Sequence, residues 1–126
     1  MRTVFVAVAL VLFAKLAFAA PSEFSTEGYR QLQESGSPYV VGFHAWWCGT
    51  CRVQKPALEA LLRTDEFAGV AGLMAGFHTH SDTRKALKVT SPSTLVLMKG
   101  TREIARSVGV TDKNELAAFL RRTKSL

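Results

Sequence analysis

The fold of this chain is decided by the stretch YVVGFHAWWCGTCR at residues 39–52. Its beginning, 39–43, is a short run of β-branched, aromatic and apolar side chains, which predicts a buried strand. Apolar residues recur at helical spacing from Cys51 onward, so the cysteines lie where a strand gives way to a helix. Unpaired N–H groups and the positive end of the helix dipole stabilise a thiolate at that point. We therefore expect the pKa of the Cys48 thiol to lie below the usual value of about 8.5.

Cys48 and Cys51 are three residues apart, which places both thiols on one face of the predicted helix, within reach of a disulfide bond. In this arrangement the Cys48 thiolate attacks a disulfide of a partner, and Cys51 then resolves the mixed disulfide. A static structural disulfide is an alternative interpretation, although so short a loop constrains the unfolded chain little.

A metal site is a further interpretation of the cysteine pair. It needs two more ligands, and the chain offers His44, His78 and His80, of which the last two have the alternate spacing of a strand. Covalent haem attachment requires a histidine directly after the second cysteine, where the sequence has Arg52, so haem is excluded. With two cysteines in total, the chain is neither a disulfide-stapled toxin nor a four-cysteine zinc module.

The N-terminal segment has the layout of a secretory signal peptide. A short basic start precedes an apolar run at 4–14, and Ala17 and Ala19 form the small-x-small pattern that signal peptidase reads. A retained membrane anchor is the alternative, but a spanning helix needs about 20 apolar residues and Lys15 interrupts this stretch. We expect residues 1–20 to act as a signal peptide that is removed.

The rest of the chain, 21–126, has the length of one domain. The whole sequence is 48% hydrophobic and 21% charged, which excludes wholesale disorder. Its formal charge of +6 falls to +4 once Arg2 and Lys15 are removed with the N-terminal segment. The remaining basic residues lack interleaved aromatic side chains, so we expect no nucleic-acid binding. A single small domain is expected to be a monomer.

Apolar periodicity and turn residues predict an α/β domain with the order helix, strand, helix, strand, helix, strand, strand, helix, in which a hairpin turn at 99–102 joins the two consecutive strands. The predicted helices are 24–34, a helix that starts at Cys51, 81–87 and 115–122. The predicted strands are 39–43, 70–77, 94–98 and 103–108. Pro56 is expected to kink the second helix. The predicted helix caps are Ser25 or Thr26, a residue among 81–83, and Thr111 with Asp112.

Several of these features resemble the thioredoxin superfamily over about residues 24–122. The resemblance rests on Trp47 and the Cys-Gly-Thr-Cys motif at a strand-to-helix turn, followed by Pro56 five residues later. Thr94-Leu95, Lys99-Gly100 and Val108-Gly109 fit a second run of the family pattern. It implies a thioredoxin fold, in which helices flank both faces of a central mixed β-sheet. It also implies dithiol–disulfide exchange with proteins and no organic cofactor.

Two positions depart from the family pattern. Thioredoxins carry a cis-proline that faces the cysteine pair; an ungapped alignment puts Ser93 in that slot, and a one-residue shift puts Pro92 there instead. We expect Ser93. Thioredoxins also bury an acid six residues before the first cysteine, with a lysine partner, but Gly42 takes the place of the acid and no lysine is evident. His44, on the same face of the strand as Gly42, is then a candidate base, or else a packing residue near the active site.

The resemblance also predicts where partner proteins dock. The expected docking residues are Trp47, Gly49, Thr50, Pro92 and Ser93. Trp47 is expected to be partly exposed and to touch partners, while Trp46 is expected to pack beside it, with core packing as the alternative. The Gly49-Thr50 dipeptide lacks the histidine that strongly oxidising relatives carry between the cysteines, which favours a reductant over an oxidant.

Together these observations predict an exported, periplasmic-type thiol–disulfide oxidoreductase that acts on protein disulfides. Cys48 is the expected nucleophile and Cys51 the resolving thiol, with no resident metal. Electrons would come from a membrane or periplasmic donor protein, because thioredoxin reductase is cytoplasmic. The alternative is a non-catalytic binding or metal-handling module of the same fold. Ser93, Gly42 and the three histidines are the residues that support this alternative.

Overall fold

The computed structural model describes residues 21–125, so the predicted signal peptide at 1–20 and its removal lie outside the described residues. No helix within that part of the chain is long and apolar enough to cross a membrane. The strands are β1 (Ser22–Glu23), β2 (Pro38–His44), β3 (Ala71–Gly76), β4 (Thr94–Lys99) and β5 (Arg102–Val108). The α-helices are α1 (Thr26–Ser35), α2 (Gly49–Leu62), α3 (Ser81–Ala86) and α4 (Lys113–Arg121). Short 3₁₀ turns cover Asp65–Phe67 and Arg122–Ser125.

The five strands form one mixed sheet in the order β1-β3-β2-β4-β5. β2 is central: it runs parallel to β3 and antiparallel to β4, so that Val41 lies opposite Leu73 on one side and Val96 on the other. Hydrogen bonds on both sides hold this strand in place. The segment that follows its last residue, His44, therefore leaves the sheet from a fixed point.

Two apolar layers cover the two faces of the sheet. Val40 packs in one layer with Leu58 of α2 and Leu120 of α4. Its neighbour Val41 points to the other face and packs in a second layer that includes Leu32 of α1. This alternation is the period-two pattern of a buried strand. The predicted central mixed sheet with helices on both faces is confirmed.

Side-chain caps fix two of the helices where the sequence predicts them. The Ser25 hydroxyl accepts a hydrogen bond from the Gly28 N–H at 3.0 Å, and the Asp112 carboxylate accepts one from the Glu115 N–H at 3.0 Å. The predicted cap of α3 is wrong. This helix starts at Ser81 after His80, whose side chain makes no capping bond, so the polar residues expected to precede the helix lie inside it.

Element boundaries differ from the prediction by a few residues. α2 starts at Gly49, two residues before Cys51, and continues through Pro56. α4 starts at Lys113 rather than Glu115, because Asp112 is its cap. Strand β1 was not predicted, because two residues are too few to carry an apolar pattern and its pairing with β3 is a tertiary contact.

Candidate active site

The cysteine pair lies at the N-terminus of α2, as the sequence predicts. The turn after β2 is closed by a hydrogen bond from the Cys48 N–H to the Ala45 carbonyl at 3.1 Å. Cys48 is the N-cap of α2, and its Sγ accepts a hydrogen bond from the Cys51 N–H at 3.1 Å. The two residues are joined by a disulfide, and their Cα atoms are 5.3 Å apart. The sulfur of Cys48 thus receives a helix N-terminal donor, the arrangement that stabilises a thiolate once the pair is reduced.

Both cysteines are nearly buried, and the residues around them differ in exposure. Cys48 and Cys51 pack with Ala45 and the partly buried Phe77. Gly49 and Thr50, the first two residues of α2, are exposed and form the rim of the site. A partner must therefore approach over the first turn of the helix.

The expectation that Trp46 and Trp47 form a packing pair is wrong. Trp46 is 83% exposed and Trp47 is 50% exposed. The Trp47 indole N–H donates a hydrogen bond to Nε2 of His78 at 3.0 Å, so this indole is held toward the loop after β3. The turn after His44 leaves the Trp46 side chain almost wholly in solvent, which also makes core packing of Trp46 wrong. The prediction that Trp47 is partly exposed is confirmed.

Ser93 lies beside the end of β2, at the entry to β4. Its N–H donates to the Phe43 carbonyl at 2.8 Å, and its carbonyl accepts from the Gly109 N–H at 3.1 Å. The described chain has no cis peptide bond, so the Ser91–Pro92 bond is trans. Pro92 is only partly buried, whereas Ser93 is buried. Ser93 has φ +61°, a left-handed conformation that costs a non-glycine residue about 1–2 kcal/mol. Proline cannot take this φ and has no N–H for Phe43, so this backbone requires another residue.

Gln54 is a site residue that the sequence analysis missed. It lies one turn after Cys51 and is 2% exposed. Its Nε2 donates to the carbonyl of Ser93 at 3.0 Å and to that of Val110 at 2.9 Å. The sequence does contain a signal for it. Gln54 lies at helical spacing from Cys51 and the apolar Leu58, on the face that is expected to be buried, and a buried amide needs hydrogen-bond partners.

The place of the family's buried acid is filled by a thioether. Gly42 is paired in register with Met74 on β3. A Cβ atom at Gly42 would lie 2.9 Å from Sδ and Cε of Met74 and 3.1 Å from Cδ2 of Leu95. The absence of an acid at Gly42 therefore comes with an apolar filling of the same space.

His44 ends β2 and lines the same cavity as Cys51. Its carbonyl accepts from the Phe77 N–H at 2.8 Å. Its side chain is partly buried, and Nε2 is buried without a hydrogen-bond partner among the described residues. The cavity has a volume of about 300 Å³ and also includes Trp46 in its wall. A buried polar atom without a partner calls for an explanation in the chemistry of the site.

The histidines do not assemble with the cysteines into a metal site. His78 accepts from the Trp47 indole, and Nδ1 of His80 accepts from the Gly76 N–H at 2.9 Å. Both lie in the turn after β3 rather than on a strand, so their expected alternate spacing does not place them on one face. Within residues 21–125, no three His, Cys, Asp or Glu side chains are grouped so that they could hold a metal ion. The residues present do not fit the four-ligand site considered from the sequence.

The family follows from a comparison with known proteins. The family model described as Thioredoxin matches residues 20–122. The chain belongs to the thioredoxin family. The five-stranded mixed sheet and the four α-helices described above agree with this assignment.

Three relatives show the extent of the similarity. The chain is 32% identical to mitochondrial thioredoxin of Bos taurus over 88 residues, which cover 70% of this chain and 52% of the relative. It is 35% identical to thioredoxin of Chlamydia trachomatis over 81 residues, covering 64% and 78%. The crystal structure of Trxlp from Edwardsiella tarda superimposes with a TM-score of 0.74 at 30% identity, covering 79% of this chain and 98% of that one. The chain spans about half the length of the mitochondrial thioredoxins that it matches.

Proposed function

We propose that this chain is a thiol–disulfide oxidoreductase that acts on protein disulfides, with Cys48 as nucleophile and Cys51 as resolving thiol. One observation carries the proposal: the Cys48 sulfur caps α2 and is bonded to Cys51 at the surface turn of a thioredoxin-family domain. Such a sulfur is stabilised as a thiolate, and the thiolate is the form that attacks disulfides.

The proposed exchange balances without a cofactor. In the reduced protein, the Cys48 thiolate attacks one sulfur of the partner disulfide, and the other partner sulfur leaves as a thiolate that takes up a proton. Cys51 loses its proton and attacks Sγ of Cys48, which forms the internal disulfide and releases the second partner thiolate. Two electrons pass from the cysteine pair to the partner. A dithiol protein acting as donor must then reduce the pair again.

The proposed docking surface lies over the buried disulfide. Half-exposed Trp47 lies on one side of it, and the exposed first turn of α2 forms its centre. The segment with Pro92 and Ser93 is tied to α2 through Gln54. Trp47, Gly49 and Thr50 offer the exposed contacts to a partner segment, while the hydrogen bonds of Ser93 hold the segment beside them in place, with little of the adjustment that a mobile site would need.

His44 is the proposed proton acceptor for Cys51. It lines the same cavity as Cys51, its Nε2 has no partner in the described chain, and Met74 fills the space where an acid would otherwise lie. Imidazole is the side chain suited to proton exchange near neutral pH. The proton moves from the Cys51 thiol to this ring as Cys51 attacks the mixed disulfide.

A His44→Gln variant, whose amide lies near the position of Nε2 but does not take up a proton, tests this role. We expect the rate of disulfide reduction at pH 7 to fall about a hundredfold, the low end for a lost acid–base group, and the pH dependence of that rate to change shape. The measurement is the rate of reduction of a disulfide peptide between pH 5 and 9. His80→Asn, with an amide oxygen near the position of Nδ1, is the matched control. A His44→Gln profile identical to that of the parent protein would make His44 a packing residue.

Export and a reducing role complete the proposal. The signal-like N-terminal segment supports action outside the cytoplasm, where a membrane or periplasmic protein would donate the electrons. The absence of histidine between the cysteines supports a reductant. The reduction potential of the Cys48–Cys51 pair in residues 21–126, equilibrated with dithiothreitol, tests the direction. We expect about −270 mV, as in thioredoxin. A value near about −120 mV would make the protein an oxidant, and a pair that does not equilibrate would contradict disulfide exchange.

A further inference from the structure

The cavity that contains His44 and Cys51 is also a groove lined by residues that the exchange chemistry does not use, namely Trp46, Arg52 and Lys55. Its lining residues include His44, Trp46, Cys51, Arg52, Lys55 and Pro56, and the groove is termed here the Trp46 groove. Neither Trp47 nor Ser93 lines it, so it is separate from the docking residues predicted from the sequence. Because Cys51 is one of the lining residues, anything that occupies the groove lies beside the cysteine pair.

One wall of the Trp46 groove is an indole turned toward solvent. Trp46 is 83% exposed, more than any other large apolar side chain in the described part of the chain. Its backbone is held by a hydrogen bond from Nη2 of Arg52 to the Trp46 carbonyl at 3.2 Å. An exposed tryptophan on an anchored backbone presents a large apolar face at low conformational cost, and tryptophan is enriched among residues that dominate binding energy.

The other wall carries positive charge. Arg52 and Lys55 are three residues apart on α2, and none of the residues lining the groove is acidic. Arg52 contacts no carboxylate within residues 21–125; its bond goes to the neutral carbonyl of Trp46. Lys55 has a distant partner, Glu59, at 3.8 Å on the same helix. A partly exposed pair at that distance is weak, so both cations remain able to bind an external anion.

We propose that the Trp46 groove binds a segment of the partner protein that carries an aspartate or glutamate beside a bulky apolar residue, close to the partner's reactive cysteine. The groove requires both groups, because its apolar face comes from Trp46 in the turn after β2 and its cations come from α2. This inference rests on the proposed function, since it states which disulfide partners the same site selects. Charge complementarity of this kind raises the rate of encounter and disfavours basic partners.

Two synthetic peptides test the groove. Both contain one intramolecular disulfide and differ in a flanking pair, Glu-Leu in one and Lys-Leu in the other. The measurement is the second-order rate constant for reduction of each by the dithiothreitol-reduced protein at low salt. We expect the acidic peptide to react about tenfold faster, and this ratio to fall to about twofold in the double variant Arg52→Gln/Lys55→Gln. Trp46→Ala is expected to slow both peptides about fivefold while the ratio is retained.

The double variant Arg63→Gln/Arg102→Gln is the matched control, because it removes the same charge at two exposed positions that do not line the groove. It is expected to keep the tenfold ratio. Equal rates for the two peptides in the parent protein, or a ratio that survives in the groove variant, would overturn the inference. A groove variant that reduces oxidised glutathione more slowly but reduces both peptides at the parent rates would also overturn the inference. The groove would then select small anionic disulfides and not protein segments. Failure to reduce even 2-hydroxyethyl disulfide would instead overturn the proposed function, and this inference with it.

Discussion

Replacing Cys51 by serine is expected to leave the protein covalently joined to its partners, whereas replacing Cys48 by serine is expected to abolish both trapping and turnover. The Cys48 sulfur caps α2 and is bordered by the exposed Gly49 and Thr50, so it can attack a partner disulfide. Without Cys51 nothing resolves the mixed disulfide. Turnover of a peptide disulfide falls in both variants by at least about a thousandfold, as is typical when an essential nucleophile is lost.

The two variants control for each other. Each removes the internal disulfide and one nearly buried sulfur, so any shared loss of stability cancels in the comparison. Non-reducing gels and intact mass spectrometry after exposure to an oxidised partner measure the trapped fraction. Comparable trapping by the Cys48→Ser variant would assign the attack to Cys51 and reverse the proposed roles.

Installing an aspartate at Gly42, where thioredoxins carry their buried acid, is expected to destabilise this protein strongly. The new Cβ would meet Met74 and Leu95 within about 3 Å, and the carboxylate would enter an apolar layer. The flexible end of Met74 can move aside, so the steric cost is modest. The buried charge has no partner there, and we expect a loss of about 3 kcal/mol of unfolding free energy at pH 7.

This destabilisation is expected to depend on pH. Burial in an apolar layer raises the pKa of an aspartic acid above its unfolded value of about 3.9. A group with a raised folded pKa contributes most to stability below the unfolded pKa, and that contribution is lost as pH rises through the folded pKa. The Gly42→Asp protein is thus expected to be closer to the parent protein at pH 4 than at pH 7. Urea unfolding at both pH values measures the difference.

Gly42→Asn is the matched control, because it has nearly the same shape and no titrating charge. Its loss of unfolding free energy is expected to be nearly the same at pH 4 and pH 7. An aspartate variant that behaves like the asparagine variant at both pH values would show that water or a cation reaches this position, contrary to the packing around Met74.

Local periodicity predicts four of the five strands and the four α-helices within a few residues, and the cysteine motif with its resemblance to thioredoxins predicts the mixed sheet that they form. The sequence was insufficient where a tertiary contact decides the outcome. Trp46 was assigned to packing, yet the turn after β2 exposes it. The role of Gln54 is not predicted from the sequence, because it depends on hydrogen bonds to two carbonyls that are distant along the chain. The positive φ of Ser93 was equally invisible, since serine carries no left-handed preference that a sequence would reveal.

The amide of Gln54 has a mechanical consequence. By donating to Ser93 and Val110 at once, one side chain braces the start of β4 and the approach to α4 against the helix that carries the disulfide. These two hydrogen bonds restrain three chain segments relative to one another. Binding of a partner there requires little further ordering of this protein's backbone, so more of the contact energy is retained as affinity.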